Sequence, residues 1–154
     1  MRLLALAMGV AFTLTGCGGG DAEPVDPTAL EGVWTYELPY DYLVENGIGT
    51  YQAEEESGTH TITLADGEFK DSWETAEGRR GSCRGTYRVE AATVVFRWTY
   101  ACWGDWEMRP EFRGRQVTWS HIEALPPYDT EEDQRVNKAF NSVPWTRVGD
   151  APTS

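Results

Sequence analysis

Positive charge is scarce in this chain. Its 154 residues carry 13 Lys and Arg against 25 Asp and Glu, for a net charge of −12, and only Lys70 and Lys138 are lysines. So acidic a chain repels phosphate backbones, which excludes nucleic acid as an expected partner, and it offers no polybasic patch for anionic lipid. Long apolar runs are missing too. Leu3 to Leu14 is apolar for twelve residues, too short to cross a bilayer as a helix. There is no C-x-x-C, no G-x-S-x-G, no H-E-x-x-H and no glycine-rich phosphate loop after a strand. The acidic runs Glu54–Glu56 and Glu131–Asp133 lack calcium-loop spacing and read as solvated charge. These absences argue against an enzyme, a metal centre and a bound cofactor.

Tryptophan is plentiful, with seven in one domain-sized chain. From Leu30 onward the pattern alternates at period two, the mark of half-buried strands. Leu30, Gly32, Trp34, Tyr36 and Leu38 share one face of a first strand. His60, Ile62 and Leu64 share a face of the next, and Ala65-Asp66-Gly67 forms a tight turn into EFKDSWE. Later strands turn inward Phe69, Asp71 and Trp73; Tyr87 and Val89; Val94, Phe96 and Trp98; Trp106, Met108 and Phe112; and Val117, Trp119 and His121. PWTRV makes an eighth strand. Asp41–Gly47 and Tyr128–Phe140 read as helices, the second with Val136 and Phe140 on one face. Eight alternating strands without a long exposed edge predict an all-β, eight-stranded antiparallel up-and-down barrel, with a β-sandwich as the alternative. Strand direction sends His60 and His121 to the same mouth of that barrel, where they could flank a ligand.

The first seventeen residues end Leu14-Thr15-Gly16-Cys17. This resembles the lipobox of bacterial lipoproteins, and the resemblance implies a signal peptide over residues 1–16 and a lipidated, palmitate-bearing Cys17. Removal of residues 1–16 takes away one basic side chain, Arg2, and no acidic one, so −12 becomes −13. Residues 17–29 then form a Gly-, Pro- and acid-rich tether, of which Gly18 to Thr28 reach about 35 Å if extended, residues 30–149 the barrel, and residues 150–154 a disordered tail. The expected location is the extracytoplasmic side of a bacterial membrane, held by the lipid. With Cys17 spoken for, Cys83 and Cys102 form an even pair in an exported domain and predict a disulfide.

Gly32-Val33-Trp34 on the first strand resembles the G-x-W signature that opens lipocalins. The resemblance implies that Trp34 closes the barrel end under an Arg from the last strand, here Arg147. The chain lacks the later motifs of animal lipocalins and is more similar to small lipocalin-like domains of bacterial lipoproteins. The expected function is binding of a small apolar or amphiphilic ligand, with Trp73, Trp98, Trp106 and Trp119 lining the cavity and His60 and His121 at its mouth. The alternative is a ligand-free envelope protein with a filled barrel that presents an acidic surface to a protein partner.

Overall fold

A computed structural model describes residues 23–100, 102 and 104–151. The leader, Cys17 and its following glycines, and residues 152–154 lie outside the described residues. Eight strands, β1 (Gly32–Leu38), β2 (Gly58–Ala65), β3 (Glu68–Glu74), β4 (Arg80–Glu90), β5 (Thr93–Tyr100), β6 (Asp105–Arg113), β7 (Gln116–Leu125) and β8 (Trp145–Gly149), pair antiparallel in chain order and close into a barrel. The alternation explains the closure. Inward residues are mostly apolar, with His60 and Asp71 as polar exceptions; Phe112, expected inward, is exposed near the end of β6; and β8 pairs with β1, which removes the open edge. Asp66 and Gly67 both take positive φ in the two-residue β2–β3 turn, as such hairpins require.

Four helices decorate the ends: α1 (Pro27–Leu30), α2 (Tyr40–Glu45), α3 (Thr50–Glu56) and α4 (Glu131–Asn141). The alternation hides α1, and it corrects the expected tether. Asp26 caps α1, Val25 N–H donates to Ala91 O at 2.8 Å, and Leu30 is fully buried, so the chain joins the barrel at Val25. The acidic run Glu131–Asp133 forms the first turn of α4, where Thr130 and Asp133 cap each other and negative charge suits the helix dipole.

Trp34 and Arg147 meet at the lower end. Trp34 is buried and donates its Nε1–H to Leu30 O at 2.8 Å. The Arg147 guanidinium lies 5.9 Å from the Trp34 ring centroid and donates to Glu31 O at 2.7 Å. Gly32 holds φ at 149°, and a side chain there would press on the Arg147 guanidinium and Gly149 O. Above this plug the interior is solid with rings. Phe69 and Phe96 meet edge to face at 5.5 Å, and Trp119 meets Trp145 at 4.9 Å.

The upper half is built differently. Strand β8 reaches only as far up β7 as Val117. Beyond it, Gln134 of α4 stands in for the missing strand: its amide donates to Ile122 O, and its Oε1 accepts from Ala124 N–H at 2.7 Å. Helices α2 and α4 are tied by Tyr42 Oη donating to Ala139 O at 3.0 Å and by Arg135 donating to Gly47 O.

Candidate functional site

Register builds the site. Tyr36 pairs with His60 across β1–β2, and His60 pairs with Trp73 across β2–β3. Three inward rings therefore stand at one level and stack, at 4.7 Å for Tyr36–His60 and 5.4 Å for His60–Trp73. Trp145 extends the stack beneath Tyr36 at 5.2 Å. The next partner of Trp73 is Gly81 on β4, whose missing side chain leaves room for the indole to lie across it. One step below this level, Asp71 points into the same space.

Above and beside these rings lies a cavity of about 210 Å³. The strands contribute Tyr36, His60, Asp71, Trp73, Trp98 and Trp106 to its wall; α3 contributes Gln52 and Glu56; α4 contributes Val136, Asn137, Phe140 and Asn141. The Cys83–Cys102 disulfide, with Cα atoms 5.6 Å apart, also faces it and fastens the β5–β6 connection to β4.

Asp71, His60 and Tyr36 form one buried cluster. Asp71 Oδ2 accepts from Tyr36 Oη at 2.9 Å and lies 3.2 Å from His60 Nδ1. His60 Nε2 lies 2.9 Å from the backbone carbonyl of Glu56. A carbonyl only accepts, so Nε2 carries hydrogen, and Nδ1 faces Asp71 Oδ2; two acceptors on one ring favour the imidazolium form. Burial pulls the His60 pKa down, but the hydrogen bond and charge of Asp71, joined by Glu56, outweigh it and raise it above the ordinary value. Burial, then the Asp71 charge, hold the Tyr36 phenol well above its usual range, so it stays a donor. Burial also raises the Glu56 carboxyl, against the opposing pull of Gln52 and His60. Both nitrogens of His60 are thus committed to the fold.

Three expectations need correction. His121 does not face the interior. Between Glu107 and Arg109 of β6, strand β7 advances three residues, from Glu123 to Ser120, and His121 takes φ of 48°. This bulge resets the alternation, turning Ile122 and Ala124 inward and leaving His121 outside, 3.4 Å from Glu123. The two histidines therefore do not meet, and no group of three potential metal ligands occurs among the described residues. Trp119 does point inward, but below the cavity, 5.7 Å from Phe96 within the packed rings. Glu56, read as part of a solvated run, is a wall residue that also receives the His60 hydrogen bond. Trp73, Trp98 and Trp106 are brought together as expected, with Trp98 and Trp106 5.0 Å apart.

Comparison with protein-family models, with curated proteins and with solved structures finds no significant match to this chain.

Proposed function

We propose that this chain is a lipid-anchored extracytoplasmic barrel that binds a small amphiphilic molecule reversibly, in the cavity beneath α3 and α4. The observation that carries the reading is the division of the interior. The lower half is packed with rings, while the upper half leaves about 210 Å³ walled by aromatic faces and a few polar groups. An apolar cavity of about 150 Å³ already holds benzene, so the space suits one ring with a short polar arm. The eight-stranded closed barrel and the Trp34–Arg147 plug are consistent with a lipocalin-like module. The lipobox supports the anchor, and the Cys83–Cys102 pair fits an oxidising compartment outside the cytoplasm. No helix among the described residues is long and apolar enough to cross a membrane.

The second reading, a ligand-free envelope protein, draws on the filled lower half and requires the upper cavity to stay empty in the host. Native mass spectrometry of the chain taken from its host without refolding separates the two. Extra mass lost on denaturation is the expected result, and a bare polypeptide favours the second reading. For the anchor, Cys17→Ser is expected to move the chain from washed membranes into the soluble fraction; retention in the membranes contradicts lipidation.

A further inference from the structure

Asp71 is 5 % exposed, and its two oxygens differ. Oδ2 has Tyr36 and His60; Oδ1 has no hydrogen-bond partner among the described residues. A carboxylate oxygen cut off from water without a donor is costly to bury. The indole N–H groups of Trp98 and Trp106 are unpartnered too, but so are those of Trp119 and Trp145 away from the cavity. Orphan indoles are a general habit of this core. Asp71 Oδ1 is the atom that discriminates: a buried acceptor on the cavity wall with no N–H or O–H from the described residues.

Charge decides between a neutral donor and a cation. Two carboxylates, Asp71 and Glu56, share the cavity wall with one imidazolium, and neither Lys nor Arg lines it. Arg79, beside α3, is occupied by Glu55 and the Glu54 carbonyl. His60 spends both N–H groups on Asp71 and Glu56, with its ring faces covered by Tyr36 and Trp73. The wall thus carries one unmatched negative charge among aromatic faces, the setting that attracts an organic cation. The net charge of −12 concentrates cations near the molecule.

We propose that the cavity takes a small primary ammonium compound, with its ammonium group on the Asp71 carboxylate and its apolar body against Trp73, Trp98 and Trp106. This rests on the reading of the cavity as a ligand site. Bound there, the cation balances two carboxylates with two positive groups.

Equilibrium dialysis of the full-length chain against 2-phenylethylamine, 2-phenylethanol and phenylacetate tests the proposal. The amine is expected to bind about tenfold or more tighter than the alcohol, as one charge-assisted hydrogen bond provides, and phenylacetate not at all. Asp71→Asn is expected to level amine and alcohol. An alcohol that binds as tightly as the amine overturns the cation assignment and leaves the cavity reading standing. If none of the three binds and toluene fails as well, the cavity reading falls and the proposal with it. An amine preference kept in folded Asp71→Asn also overturns the proposal. Should that variant not fold, Glu56→Gln on α3 gives the second reading: a several-fold loss of preference is expected, and an unchanged preference overturns it.

Discussion

His60 is held by three constraints at once: an acceptor on each nitrogen and a ring on each face. Such a group ties stability to pH. Its folded pKa is raised, so its contribution is complete below the unfolded value of about 6.5 and is lost as pH rises through the folded value. Glu56, also raised, acts in the same direction from the carboxyl range upward. The melting temperature is therefore expected to fall as pH rises past the unfolded histidine value of about 6.5, and His60→Gln to flatten that slope. A flat profile in the unaltered chain contradicts the imidazolium assignment. At the other end, Trp34 is 1 % exposed and carries the lower plug. Trp34→Ala is expected to cost about 3–5 kcal/mol, or roughly 10–20 °C in Tm by calorimetry; a negligible shift would mean that the ring does not close the barrel.

The strands show what alternation encodes and where it stops. Tyr36, His60, Asp71, Trp73, Trp98 and Trp106 are legible as inward residues because the pleat sends every second side chain to one face. The rule fails at His121, where one extra residue flips the face and no local pattern announces it. It cannot separate Trp119 from Trp106, since depth along the barrel depends on strand stagger and not on period. Gln52, Glu56, Asn137 and Asn141 escape it for another reason. They sit on helices docked by tertiary contacts: α4 through the shortness of β8 and the Gln134 ladder, α3 through the Trp73 indole N–H on Glu55 O and His60 on Glu56 O. The disulfide was legible, by counting cysteines and by the hairpin that faces Cys83 toward Cys102. Closing its 19-residue separation stabilises by about 3 kcal/mol on the chain-entropy model. Cys83→Ser with Cys102→Ser is expected to lower the denaturation midpoint accordingly; an unchanged midpoint would mean that the bond adds no stability.

The whole molecule is polarised along its axis, with a sealed lower end and a hollow upper end. Chain direction relates that axis to the proposed anchor. Val25 is fixed at Ala91, so the chain joins the barrel there. The contact lies at the β4–β5 turn, beside the plugged end and opposite the cavity mouth, which is framed by the acidic α3 and α4. On the proposed anchor, the plugged end is the one nearer the point of attachment. Binding in that cavity is the central claim, and native mass spectrometry of two chains from the same host tests it most directly. The unaltered chain is predicted to carry a non-covalent mass that Val136→Trp, which fills the cavity from α4, does not. The same adduct on both chains, or on neither, would contradict it.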